Sequence, residues 1–316
     1  MTSFAPTLTS RLSSRAIGVG FALVAAVISG VAVFVNAKGV SHFDDATVYT
    51  TAKNAVAGGL LLALALPLLA GASRSGTGTR RPRSRRSWLG LVALACIGGS
   101  APFVLFFEGL SRATATQAAF IQKTLVIWVA LLAVPLLRER IRPVHLAAIA
   151  LVVGGQAWLA GDLGTIVFGG GETMILAATL MWAVEVILVK RLVEGIDPRM
   201  LAAGRMAIGV VILGAWVLVS GRMSGLVGLS AEQWQWAFLT GLLLTGYVGT
   251  WYAALAFAPA IDVTAVLVFG AVITAVLSGT IDGAAVDVAG IALVTAGVAL
   301  AGVAALTRQP GRVLRS

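Results

Sequence analysis

The sequence predicts an all-α membrane protein, with ten transmembrane helices arranged as two inverted five-helix repeats. Three observations predict it. Of 316 residues, 59% are hydrophobic and 11% charged, with a mean hydropathy of +0.96; soluble domains carry about 25% charged residues. The apolar residues fall into ten runs of about twenty, the length that crosses a hydrocarbon core about 30 Å thick. Stretches of the first half also recur, ungapped, in the second. In lipid each backbone N–H and C=O needs a partner within its own segment, so the runs are expected to be helices.

In chain order the spans are 16–36, 47–70, 88–110, 113–136, 144–161, 172–190, 200–220, 233–253, 258–279 and 285–306. The polar, basic tail 1–15 precedes the first run. That run is too long for a signal-peptide core and no small-residue cleavage site follows it, so it is expected to stay in the membrane. The stretch 71–87, GASRSGTGTRRPRSRRS, is the one long connection, a Gly-, Ser- and Arg-rich loop. The tail 307–316 closes the chain.

The net charge of +10 is a topology signal rather than a nucleic-acid footprint. With the N-terminus placed in the cytoplasm and the sides alternating, seventeen of the 23 Lys and Arg fall on cytoplasmic segments. Only Lys38, Arg112 and Arg222 fall outside, and Lys53, Lys123 and Arg205 lie within spans. That is the positive-inside pattern. It predicts a multi-pass protein of the inner (plasma) membrane with both termini cytoplasmic, in contact with lipid and not with nucleic acid, as a monomer or homodimer.

The repeat is legible directly. AAIALVVGGQA (147–157) matches AGIALVTAGVA (289–299) at seven of eleven positions. Residues 25–53 align without gaps to 177–205, bringing Lys38 onto Lys190, Asp45 onto Asp197 and Lys53 onto Arg205. The halves are expected at 16–161 and 172–306. Five spans is an odd number, so the halves lie in opposite orientation, with a substrate site expected at the midplane between them.

The order of residues in 106–142 carries a family resemblance. Phe106 and Phe107 end an aromatic helix, Gly109 and Leu110 follow, and Ser111 to Ala119 form a Ser/Thr/Ala turn. An apolar run then closes on Leu137, Arg138, Glu139 and Arg140, before a fifth helix with Gly154 and Gly155. Leu255 to Thr264 and Ser278 to Asp282 repeat the pattern more loosely, with Ile281 in the place of the closing Glu. The chain resembles the EamA-type branch of the drug/metabolite transporter superfamily over about 290 residues. Val126 stands where that family often has a mid-helix Pro. The resemblance implies a secondary transporter, more often an exporter, and says nearly nothing about substrate.

Phosphate loops, G-x-S-x-G elbows and paired catalytic carboxylates are absent from the sequence, so no enzyme, no nucleotide motor and no cofactor is predicted. One cysteine, Cys96, and two distant histidines make neither an intrachain disulfide nor a metal set. Gly169–Gly171 is a turn without a following lysine.

Ionisable residues inside spans are the functional candidates, because each is costly in hydrocarbon. Lys123 is the deepest cation, about ten residues from the nearest polar connection, or roughly 15 Å at 1.5 Å per residue. Lys53 and Arg205 lie nearer the two faces, where side chains snorkel; their repeat equivalence would put one cation toward each mouth. Glu185 and Glu108 are candidate proton carriers, and Asp262 lies near the cytoplasmic start of the ninth span. In the shorter small multidrug resistance relatives the proton-carrying Glu precedes a similar Lys by eight residues; here Trp182 occupies that place before Lys190, so the role does not transfer. Gln117, Gln122 and Trp128 on the fourth span, with Tyr247 and Trp251 on one face of the eighth, complete the expected substrate site. Trp88, Trp234 and Trp236 are expected at the membrane interfaces. Gly98-Gly99-Ser100-Ala101-Pro102 is expected to weaken the third helix.

These features predict alternating access by the two halves, driven by a gradient, moving a small polar metabolite that is amino-acid-like or an organic anion. Two other readings remain open: a lipophilic-cation efflux pump using Glu185 and Glu108, which Lys123 would oppose, and a non-transporting scaffold in which the buried charges are structural pairs.

Overall fold

The structure, a computed structural model, describes residues 8–71, 81–82, 84–113, 115–159, 169–285 and 287–307. Most of the Arg-rich loop, both chain ends, 160–161 of the expected fifth span and the side chain of Gln117 lie outside the described residues. The helices are α1 (Leu8–Val40), α2 (Ala46–Gly71), α3 (Arg85–Leu94), α4 (Ala101–Leu110), α5 (Ala115–Lys123), α6 (Leu125–Leu137) and α7 (Pro143–Leu159) in the first half. The second half holds α8 (Gly170–Leu192), α9 (Pro198–Val219), the short α10 (Met223–Val227), α11 (Ala231–Phe257), α12 (Ala260–Leu267), α13 (Gly270–Ile281) and α14 (Val288–Leu306). Among the described residues nine helical stretches are long and apolar enough to cross a membrane; α7 is a shorter apolar helix.

The packing has the internal two-fold that the repeat demands. α1 packs on α11 and its counterpart α8 packs on α4. α6 packs on α8 and α13 on α1, while α2 meets its own counterpart α9 and α7 meets α14. The α7–α14 contact is made by small residues. A Cβ on Gly155 would stand 2.7 Å from Val294 Cγ2, and one on Gly297 2.8 Å from Val152 Cγ2. Bare backbone at these crossings lets the helices touch, which is how apolar helices associate where lipid supplies no hydrophobic drive.

The repeated polar residues do repeated work. Asp45 and Asp197 are aligned, and each starts the second helix of its half. Asp45 Oδ1 accepts from the N–H groups of Thr47 and Val48 at 2.8 and 3.0 Å. Asp197 Oδ1 accepts from Arg199 N–H at 2.9 Å, with Pro198 in the first turn. Both satisfy donors that a helix start leaves free.

Two spans expected to be continuous are broken, at equivalent places. The fourth divides at Thr124 and the ninth at Val268–Phe269. At the first break the Thr124 hydroxyl donates back to Ile121 O at 2.6 Å, and Ile127 N–H turns to Thr124 O at 2.9 Å. At the second, Phe269, Ala271 and Val272 donate three residues back, to Val266, Val268 and Phe269, at 2.9–3.1 Å. Both breaks are tight turns: a Thr bonding its own backbone in one half, and Gly270 opening the second turn in the other. The third span is interrupted by a wide π-turn over Ala95–Ser100, where Gly98, Gly99 and Pro102 weaken the helix. Trp88 and Trp234 project outward at the two ends of the bundle, while Trp236 stacks on His42 at 4.9 Å.

The two ends of the bundle are chemically distinct. The basic end is the one near the Arg-rich loop, where α1, α7 and α12 begin.

Candidate functional site

The halves enclose a cavity of about 190 Å3. Every span contributes to its lining except the fifth and tenth, which pair with each other to one side. Its wall is mainly apolar and aromatic, and three cations and one carboxylate reach it: Lys53, Lys123, Arg205 and Glu185. They lie on α2, α5, α9 and α8, so the site is assembled from both halves.

Arg205 and Glu185 hold each other. Arg205 Nε lies 2.7 Å from Glu185 Oε1 and Nη2 lies 3.2 Å from Oε2, a two-point guanidinium–carboxylate contact. Tyr252 donates its hydroxyl to Glu185 Oε1 at 2.9 Å. The π-turn supplies the remaining acceptor: Gly98 O, released from regular helix pairing, receives Arg205 Nη2 at 2.6 Å. The glycine itself is required, because a Cβ there would strike the Glu185 carboxylate. A buried ion pair needs such extra bonds to offset desolvation.

The two lysines are treated differently. Lys53, 3% exposed, donates to Asn36 Oδ1 at 2.7 Å and lies over the Phe107 ring at 3.9 Å from its centroid. Lys123, 9% exposed, ends α5 where the chain breaks, and its ammonium faces the cavity with no hydrogen bond or ion pair among the described residues. No carboxylate lies within 4 Å of either lysine among the described residues. With Glu185 paired to Arg205, the cavity keeps two lysines without a carboxylate partner among the described residues.

Of the other residues expected here, Gln122, Tyr247 and Trp251 line the same cavity, the two rings stacked at 6.0 Å between centroids. Trp128 does not: α6 turns it away from the lining, and its Nε1 bonds Thr124 Oγ1 at 3.1 Å. Glu108 lies at the end of α4 opposite the basic end, where Arg222 Nη1 reaches it at 2.6 Å and Thr47 Oγ1 at 2.8 Å. Asp262 is buried against His145, 3.1 Å from its Nε2, and the His145 Nδ1 accepts Arg142 N–H at 3.1 Å. The backbone N–H on Nδ1 leaves the ring proton on Nε2, toward Asp262.

Sequence reasoning passes over Asn36 and Phe103, which also line the cavity, and it marks Phe106 and Phe107 as part of a helix-end pattern but not as lining. Asn36 has a signal: it is the amide that closes the first apolar run.

Beyond the cavity the two ends differ. At the basic end the α11–α12 connection is pinned from two sides. Glu139 accepts from Ala260 N–H at 2.7 Å and Ile261 N–H at 3.1 Å, capping α12. Lys190 donates to Leu255 O at 2.8 Å and Ala258 O at 3.0 Å, capping α11. Burial pushes the Glu139 carboxyl above its ordinary range, and the two N–H donors pull against it. At the other end, Lys38, the repeat partner of Lys190, is paired with Asp282 at 2.6 Å in the open. It has no bond to Leu110 O or Ala113 O, the carbonyls equivalent to those Lys190 holds. The cavity follows suit: Ala37 and Leu110 line it, whereas their repeat equivalents Val189 and Leu255 are fully buried in the core.

Two inverted halves closing on a cavity between them, with broken helices beside it, are an architecture that membrane transporters use. The chain belongs to the EamA-like transporter family, whose model matches residues 16–161 and 169–307; that family is part of the drug/metabolite transporter superfamily. A curated relative, an uncharacterized transporter of Archaeoglobus fulgidus, is 29% identical over 163 residues, which are 50% of this chain and 55% of that protein. The chain thus spans about half the length of the curated relative it matches. A solved crystal structure superimposes with a TM-score of 0.68 over 90% of this chain and 97% of its own, at 16% identity, and shares the fold.

Proposed function

We propose that the protein is a secondary transporter of a small organic anion with an apolar body. It works by alternating access, and its basic end lies in the cytoplasm. The observation that carries the substrate class is the pair of lysines, Lys53 and Lys123, facing one cavity without counter-ions. Burying an unpaired ammonium is expensive, and a carboxylate on the ligand would relieve that cost for both. The aromatic lining, with Phe107, Trp182, Tyr247 and Trp251, suits the ligand's apolar part. Gradient-driven export follows the family pattern. The Arg205–Tyr252 hold on Glu185 weighs against the lipophilic-cation pump, because that carboxylate is already occupied.

Benzoate, benzamide and benzylamine share a ring and differ in charge. Purified protein in nanodiscs is expected to bind benzoate at least tenfold more tightly than benzamide, and benzylamine least, measured by scintillation proximity or calorimetry. Equal affinities would sink the anion reading.

Alternation is supported by the unequal ends. The pinned α11–α12 connection closes the basic end, whereas at the other end Lys38 is held by Asp282 and Ala37 and Leu110 line the cavity, which supports an outward-facing reading of this state. In the opposite state Lys38 would take Leu110 O and Ala113 O, as Lys190 now takes Leu255 O and Ala258 O. Each bond to a charged group is worth about 1.5–3 kcal/mol, so Glu139→Ala is expected to open the basic end by tenfold or more. On a Cys96→Ala background, Ala37→Cys should react with an impermeant maleimide and Val189→Cys should not. Adding Glu139→Ala should make Val189→Cys reactive from the basic side. If Val189→Cys stays silent, Glu139 is no gate.

A further inference from the structure

The repeat places two cations at equivalent positions and neutralises only one. In the register that aligns 25–53 with 177–205, Lys53 corresponds to Arg205, Val33 to Glu185 and Asn36 to Leu188. Arg205 meets a carboxylate, and its charge is balanced. Lys53 meets an amide. Asn36 Oδ1 accepts both Lys53 Nζ at 2.7 Å and the Tyr49 hydroxyl at 2.6 Å, while its Nδ2 donates to Ala32 O at 2.7 Å. Each polar atom of the carboxamide is therefore engaged, and the orientation is determined: turned over, the amide would set an NH2 group against an ammonium and offer an oxygen to a carbonyl. Its far side is closed by Tyr49, buried among Phe43 and Phe107.

We propose that Asn36 sets the charge selectivity of the cavity. It is a positioning residue, acting through Lys53: it fixes the direction of the ammonium as an ion partner would, and it leaves the charge intact for the ligand. The inference rests on the anion reading above and assigns its charge preference to one side chain. Oxygen and nitrogen differ by little in size, so Asn36→Asp changes shape least and electrostatics most, although the new oxygen cannot donate to Ala32 O as Nδ2 does. It would rebuild at Lys53 the neutral pair already present at Arg205, and the cavity would drop from two uncompensated cations to one.

The full-length protein in nanodiscs is compared as Asn36→Asp, Asn36→Ala and Lys53→Met, with benzoate, benzamide and benzylamine as probes. For Asn36→Asp, benzoate affinity is expected to fall at least tenfold and benzamide affinity to change less than twofold, so that the preference between them shrinks. A merely structural role would weaken both probes together. Should Asn36→Asp not yield monodisperse protein, Asn36→Ala carries the test: Lys53 keeps its charge but loses its aim, and the benzoate-to-benzamide ratio is expected to drop threefold or more. An unchanged ratio in the folded Asn36 variant, with benzoate binding lost in Lys53→Met, overturns the role of Asn36 and leaves the anion reading standing. An unchanged ratio in Lys53→Met, or no benzoate preference in the parent protein, overturns both.

Discussion

Lys123→Met is expected to lower benzoate uptake into proteoliposomes by at least tenfold and to leave the protein as stable as before or more so. The two halves of that result have one cause. Lys123 is buried, touches no carboxylate among the described residues, and ends a helix whose last carbonyls offer only the partial negative charge of a dipole. An ammonium held that way raises the energy of the empty protein. Met keeps most of the aliphatic stem and its packing against the wall, so the variant gives up the cost along with the charge. What it loses is the bond to an anionic ligand, worth about 1.5–3 kcal/mol when one partner is charged, or about tenfold to 150-fold in affinity. Lys123→Arg, which keeps the charge, should retain part of the uptake. The check is paired: initial uptake rates and a thermal unfolding midpoint on the same preparations. Uptake unchanged, or a midpoint that falls by several degrees, would mean that Lys123 is a structural cation. The other half already tolerates an apolar residue at this position, since Val268 is its counterpart and packs in the core there. Activity is thus bought with stability at one position of a repeated pair.

How far the sequence reaches depends on what sort of fact is asked of it. Spans, halves and caps are legible because each rests on local chemistry: twenty apolar residues, a matching register, an Asp before a helix. The depth of Lys123 and Glu185 is legible for the same reason, since depth is a distance along one chain; Lys53 and Arg205, expected to reach toward the two faces, are instead buried against the one cavity. Rotation about a helix axis is not legible. α6, LVIWVALLAVPLL, is apolar on every face, and no pattern says which one looks inward. The sequence therefore groups Trp128 with Gln122, although the break at Thr124 puts the two on separate helices, and it gives no prominence to Asn36 or Phe103. Partners distant in sequence are the hardest. His145 and Asp262 lie on different halves, as do Glu139 and Ala260, and nothing local in either stretch names the other. The repeat helps only where both copies keep the residue. It pairs Lys38 with Lys190, but it cannot show that one sits in an exposed ion pair while the other grips a helix end.

The largest effect on stability is expected at the other cation. Glu185→Ala should cost about 3–5 kcal/mol, the penalty for leaving a buried guanidinium without its carboxylate. Arg205 cannot escape by losing its proton, as arginine stays charged in proteins. It also cannot swing to water, because Gly98 O fixes Nη2 and the Phe103 and Tyr252 rings stand about its carbon, 5.6 and 6.0 Å from Cζ. Glu185→Gln should cost less, since the amide oxygen still accepts from Arg205 while the charge is gone. Arg205→Met together with Glu185→Met should recover most of the loss, since replacing both ions by apolar groups removes the desolvation cost on each side. The measurement is thermal or denaturant unfolding in one detergent of the parent, Glu185→Met, Arg205→Met and the double variant, analysed as a double-mutant cycle. A coupling energy near zero would mean that the pair seen at 2.7 Å contributes nothing to the fold. Transport separates the two cations further. If Glu185 carried the coupling proton, Glu185→Gln would abolish uptake driven by a pH gradient and spare exchange at equal pH. If the pair only braces the third, sixth and seventh spans around the cavity, both should decline together, in step with stability. The geometry favours the brace: the Glu185 carboxylate accepts from Arg205 Nη2 and the Tyr252 hydroxyl and lies 2.7 Å from Arg205 Nε, while Lys53 and Lys123 have no such partner among the described residues.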